Sequence, residues 1–218
     1  MLAIGPALYA VYTYVQFIVG PEYQRYAGNN EKAFPLYLGL IILGWVVAVR
    51  AWSEIGARIM PSPTDQLRRG LASTLIILGL FFALTWLRGI ADVLRGTQVT
   101  EYQQDPTLFW LIRLMDLGFV IPAALITGAG LLSGKAWATR MSYAVSGFLM
   151  LEIGAVAAMV IAMVLRSDPA ASVPILIVTL TSTLTLAAFY LQLLRASGEE
   201  SRSRRSHVRL RATNERAG

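Results

Sequence analysis

The sequence predicts an all-α integral membrane protein, a bundle of about six transmembrane helices with both termini in the cytoplasm. Three observations carry that expectation. Of 218 residues, 56% are hydrophobic and only 15% are charged, against roughly 45–50% and about 25% in ordinary soluble domains. The apolar residues gather in long unbroken runs, without the period-two alternation of an outer-membrane barrel. The Lys and Arg residues fall mainly on one side of those runs. Mean hydropathy is +0.55, and so apolar a chain cannot stay solvated as a disordered coil.

A spanning helix needs about 20 mostly apolar residues. Segments 2–20, 35–51, 71–88, 107–132, 137–165 and 171–194 meet that need. The first begins Met1-Leu-Ala-Ile-Gly-Pro6 and lacks the basic start and small-residue cleavage site of a signal peptide, so it reads as a retained span. The fourth and fifth are long enough to tilt. The connections at 21–34, 52–70, 89–106, 133–136 and 166–170 hold most of the charge, and none could house a soluble domain. Within the third connection, Arg88, Asp92 and Arg95 have helical spacing and read as an interfacial extension. Its surface ion pairs contribute little, and a dicarboxylate site at Glu101 and Asp105, which follow, is a minor alternative.

Orientation follows from the basic residues. Arg50, Arg58, Arg68, Arg69, Lys135, Arg140 and seven tail arginines make thirteen on one side; Arg25, Lys32, Arg88, Arg95 and Arg166 make five on the other. Cytoplasmic loops carry the excess. The segment 195–218 reads as a disordered basic tail, in which Arg202, Arg204, Arg205 and Arg209 contact anionic lipid headgroups at about 1 kcal/mol per charge near the surface. No aromatic residues alternate with these arginines to stack on bases, so nucleic acid is not expected.

Much chemistry is excluded. The chain has no cysteine and one histidine, His207, which lies in the tail. Thiolate metal sites, Fe–S clusters, disulfides and bis-histidine haem ligation are therefore ruled out. No metal or cofactor is expected. The phosphate loop, GxGxxG, HExxH and GxSxG are all missing.

Charged groups inside hydrocarbon are costly and tend to face the bundle interior. Arg113, Asp116 and Glu152 are the three to explain. Arg113 and Asp116 sit three residues apart on one helical face, about 9 and 13 Å below the outer end of the fourth span. The pair either closes on itself or Arg113 reaches outward. At 100° per residue Ala123, Thr127 and Gly130 fall near the Asp116 face, a small-residue stripe that admits another helix. Pro122 should free the Gly118 carbonyl and kink the span. Glu152 lies about 20 Å from the outer end of the fifth span, without a counter-charge on its own helix. Partners at that depth are Thr179, Thr181, Ser182, Thr183 and Thr185 of the sixth span, or Tyr9, Tyr12, Tyr14 and Gln16 of the first. The simplest expectation is a polar clamp of Arg113, Asp116, Glu152, Thr127, Thr183 and Tyr12 that fixes helix register. Most of the tyrosines should be interfacial anchors, and most of the span hydroxyls should bond their own backbone.

The run Asp116-Leu-Gly118-Phe-Val-Ile-Pro122-Ala-Ala124-Leu-Ile-Thr127-Gly128-Ala-Gly-Leu131-Leu132 resembles an Asp-Leu-Gly…Pro-x-Ala…Thr-Gly…Leu-Leu pattern. That pattern marks an uncharacterised family of small multi-pass membrane proteins from high-GC bacteria. Tyr9-x-x-Tyr12-x-Tyr14, Glu22-Tyr23, Pro35-Leu-Tyr37 and the Lys135-Ala-Trp137 turn are similar to the same family. The resemblance implies a multi-pass protein of the bacterial cytoplasmic membrane and a structural weight on Asp116, with no activity attached. The expected role is a non-catalytic bundle or accessory subunit of a membrane assembly, with lipid and other membrane subunits or further copies of itself as partners. The alternative is a small proton-coupled transporter or channel-like protein using Asp116 and Glu152. A lipid-acting enzyme is weaker, because no cluster of polar catalytic residues stands at an interface.

Overall fold

A computed structural model describes the backbone of residues 3–19, 29–57, 63–167 and 171–217, and their side chains apart from 29–32, 55–57 and 197–217. Every regular element among the described residues is helical: α1 (Ile4–Val19), α2 (Asn29–Ala57), α3 (Asp65–Leu94), α4 (Thr100–Gln104), α5 (Pro106–Met115), α6 (Ile121–Leu132), α7 (Ala136–Leu165) and α8 (Val173–Ala217). A π-helical turn, Asp116–Val120, joins α5 to α6. The long apolar runs could form no other element in lipid, where each backbone polar group must be satisfied within its own segment.

Five stretches are long and apolar enough to cross a membrane: Ala33–Glu54, Asp65–Leu94, Pro106–Leu132, Ala136–Leu165 and Val173–Ala196. Their surfaces explain why. Leu36, Ile42, Leu43, Ile77, Leu84 and Phe119 stand exposed, a load of apolar surface that water would not tolerate on a monomer. The chain is a multi-pass membrane protein. The first expected span differs from the other five. α1 has sixteen residues and rises about 24 Å, short of the roughly 30 Å hydrocarbon core.

α1 is nevertheless docked inside the bundle, between α2 and α7. Its seam with α7 is a contact of two glycines. A Cβ built on Gly5 would lie 2.8 Å from the Gly147 Cα, and one on Gly147 would lie 3.3 Å from the Gly5 Cα. Only hydrogen at both positions lets the backbones approach so closely. Further along, Tyr12 meets Phe148 edge-on with ring centroids 5.3 Å apart and comes within electrostatic range of Glu152, so α1 and α7 run in the same direction. α2 returns alongside α1, with Tyr14 stacked on Tyr37 at 5.8 Å.

The core lies among α3, α6, α7 and α8. Leu71, Ala72 and Leu75 pack with Ala124, Leu131, Tyr143, Ile153 and Leu186. Local chemistry sets the helix ends. Thr64 caps α3 by accepting from the Leu67 N–H at 3.3 Å, a standard way of satisfying an orphan amide. One turn on, the Arg68 guanidinium donates to the Leu131 carbonyl at 2.8 Å, so it caps the far end of α6 and joins the two helices at one end of the bundle. The α6–α7 turn uses Gly134 at φ 65°, a conformation that L side chains resist. The α8 backbone continues as helix past the apolar stretch to Ala217.

Candidate functional site

Asp116 is the first residue of the π-turn. The turn arises because Pro122 has no N–H to donate. The Ile121 N–H, just before it, instead bonds the Asp116 carbonyl five residues back, the signature of a π-bulge. The expected proline kink is thus absorbed as one widened turn. That turn presents the Asp116 side chain to two neighbouring helices. Its Oδ1 accepts from the Tyr12 hydroxyl of α1 at 2.5 Å. Its Oδ2 accepts from the Trp86 indole N–H of α3 at 2.8 Å. Three segments far apart in sequence therefore converge on one carboxylate.

Arg113 is not the partner of Asp116. Its side chain, 6% exposed, pairs with Glu101 of α4 at 2.7 Å, and its Nη1 donates to the Phe109 carbonyl at 3.2 Å. The guanidinium lies 3.3 Å above the Phe109 ring and 4.7 Å from the Trp86 ring. Spacing of three residues does put Arg113 and Asp116 on one face. The long arginine stem, however, carries its charge toward the bundle end, while the short aspartate stays at its own depth. The outward alternative is the one realised. Glu101, weighed from the sequence only as half of a dicarboxylate site with Asp105, is the counter-ion, and Asp105 serves as the N-cap of α5 by accepting from the Leu108 N–H at 3.0 Å.

Glu152 projects from α7 within electrostatic range of Tyr12 and Asp116. Among the described residues no hydrogen-bond partner is recorded for it. The threonines of α8 do not supply one. Thr179, Thr183 and Thr185 donate to carbonyls one turn back, at 2.9, 2.8 and 2.8 Å, the back-bonding expected of hydroxyls within spans. Thr183 packs against Gly154 instead, with its Cγ2 3.4 Å from a Cβ built there, two residues and about 200° round α7 from Glu152.

Thr127 stands apart. It is fully buried, with no hydrogen-bond partner for its Oγ1 among the described residues, eleven residues and about 16 Å beyond Asp116. The 100° wheel used to place it beside Asp116 loses phase across the π-turn, which holds more than 3.6 residues per turn. Of the expected stripe, Gly130 meets α7, where a built Cβ would lie 2.7 Å from the Ala138 Cβ and from the Trp137 ring; Gly128, off that stripe, meets α3 with a built Cβ 3.0 Å from the Ala72 carbonyl.

Of the six expected cluster residues, the structure thus brings together Tyr12, Asp116 and Glu152, keeps Arg113 within electrostatic range of Asp116 but paired with Glu101, and sets Thr183 and Thr127 apart from them. Sequence reasoning missed Trp86. The signal was available: an indole N–H inside a span needs an acceptor, and few intramembrane acids exist to provide one. The expected headgroup contacts Arg202, Arg204, Arg205 and Arg209 have side chains outside the described residues. Among the described residues no group of acids or histidines could hold a metal ion.

The fold and this site define a helical multi-pass membrane protein organised around a half-buried, doubly hydrogen-bonded aspartate. Comparison with known proteins adds nothing to that class: no family model fits the chain, and no curated protein or solved structure matches it.

Proposed function

We propose that the chain is a non-catalytic membrane subunit, six times across the bacterial cytoplasmic membrane with both termini inside, that serves as a helical building block of a larger membrane assembly. One observation supports this reading above others. Both oxygens of Asp116 are satisfied by donors from two other helices, an arrangement that locks α1, α3 and the π-turn in register. A group held so is suited to fixing structure, because two donors from other helices already hold its charge in place and a proton or ion must compete with them. The sixth crossing is α1. Reporter fusions after Gln98 and after Gly218 test the topology: external at the first and cytoplasmic at the second is expected. An external signal at Gly218 overturns the six-crossing arrangement. Mild extraction from native membranes should bring down a stoichiometric partner, and a lone chain that remains fully stable argues against the subunit role.

A second reading, proton-coupled transport, is favoured by the nearness of Glu152 to Asp116 and Tyr12. Glu152→Gln keeps the shape of the neutral acid and should abolish proton flux into reconstituted vesicles if this reading holds. Equal flux, or none, in both proteins leaves the subunit reading in place.

A further inference from the structure

The Arg113 pocket holds a charge that its surroundings only half satisfy. The guanidinium is fixed in place by the Phe109 and Trp86 rings and lies buried. Glu101 engages it through Nη2 alone, and the buried Nε has no hydrogen-bond partner among the described residues. Nε and Nη2 form the edge with which arginine grips carboxylates and phosphates through two parallel bonds. That same edge is flanked by Gly89, where a built Cβ would lie 3.5 Å from Nη2 and 3.9 Å from Nε. The missing side chain leaves it uncrowded.

The present counter-ion is built to be exchangeable. Glu101 is 69% exposed. It rides on α4, a helix of five residues tethered to α3 through Gly96 at φ 76°. Ion pairs with one exposed partner are weak, whereas Arg113 is fixed by aromatic faces and cannot follow a departing carboxylate.

We propose that Arg113, with Gly89 and the faces of Phe109 and Trp86, forms an oxyanion-binding site at the α3–α5 end of the bundle, in which Glu101 is a tethered carboxylate that a phosphate group displaces. The phosphate is either free or carried on a lipid headgroup. Trp86 links this site to the interior, since its ring faces Arg113 while its N–H holds Asp116.

The test compares the full chain with Glu101→Gln in detergent, titrated with inorganic phosphate against chloride at constant ionic strength. Both proteins are also placed in nanodiscs of phosphatidylglycerol and of phosphatidylcholine. With the tethered competitor removed, Glu101→Gln should gain about 3–6 °C of melting temperature at phosphate ten times its dissociation constant, and the unaltered chain should gain less. A gain from phosphatidylglycerol alone assigns the site to a lipid headgroup, and a gain from inorganic phosphate assigns it to a free anion. Adding Gly89→Ala, whose methyl group fits at ordinary contact distance, should abolish the gain without lowering the melting temperature in chloride. If Glu101→Gln does not survive extraction, Glu101→Asp, one methylene short, serves the same comparison. Equal responses of variant and unaltered chain to both phosphate sources overturn the proposal and leave Arg113–Glu101 as a structural ion pair.

Discussion

Arg113 and Asp116 stand less than one turn apart on the same span, carry opposite charges, and do not pair. Arg113 finds a charged partner that is mostly in water. Asp116 finds two neutral donors that are inside the bundle. The difference lies in reach. A long cationic side chain can stay at depth along its stem and still put its charge where a solvated carboxylate meets it. A short acid cannot, so it must be solvated where it stands by O–H and N–H groups from neighbouring helices. The two sites therefore respond to different insults, and that contrast can be broken experimentally.

The largest effect should come from Asp116→Leu. It leaves the Tyr12 hydroxyl and the Trp86 N–H without their acceptor, in a region where water is scarce. Two lost interhelical bonds and two orphaned donors should cost about 2–4 kcal/mol. Thermal unfolding in detergent measures this as a clear drop in melting temperature. An unchanged melting temperature would mean that the three segments are held together without the carboxylate.

Glu101→Gln should cost less, about 1 kcal/mol, because its carboxylate is solvated and its ion pair is screened. The distinguishing signature is salt. Raising ionic strength with a halide salt should destabilise the unaltered chain toward the level of Glu101→Gln, and should leave the penalty of Asp116→Leu unmoved. Equal salt dependence in both variants would erase the contrast between the sites.

Thr127→Val should have the smallest effect, within about 0.5 kcal/mol of neutral or slightly stabilising. Its hydroxyl is buried and has no partner among the described residues, so an isosteric methyl group removes a desolvated polar atom and breaks no bond. A loss above 1 kcal/mol on thermal unfolding would show that the hydroxyl is bonded after all.

The architecture was largely legible because lipid leaves long apolar runs a single structural option. The expected spans at 71–88, 107–132 and 137–165 fall within Asp65–Leu94, Pro106–Leu132 and Ala136–Leu165. The ends were less legible: α3 runs six residues beyond its apolar stretch at both ends, because Thr64 caps it and the helix continues unbroken through Arg88 to Leu94. In the site, depth and residue type singled out Asp116, Glu152 and Tyr12, but not who meets whom. Partner choice depends on the rotational phase of several helices at once. A π-turn that one proline provokes shifts that phase for everything after it, and Thr127, about 16 Å along the axis from Asp116, is out of its reach as well. Trp86 and Glu101 were hidden for a related reason, since each acquires its role only when a distant helix supplies the group it faces. The Gly5–Gly147 seam carries no local motif at all. Two isolated glycines become a contact only after α1 and α7 are set side by side.

The central claim is that Tyr12 and Asp116 form one bonded unit that ties α1 into the bundle. A double-mutant cycle of Tyr12→Phe and Asp116→Asn tests it most directly. Coupling of about 1 kcal/mol is expected, toward the upper part of the range for interhelical bonds in membranes, while the same cycle between Glu101→Gln and Asp116→Asn should give under about 0.5 kcal/mol. Additive losses for Tyr12 and Asp116 would contradict the account and leave α1 held by its glycine seam alone.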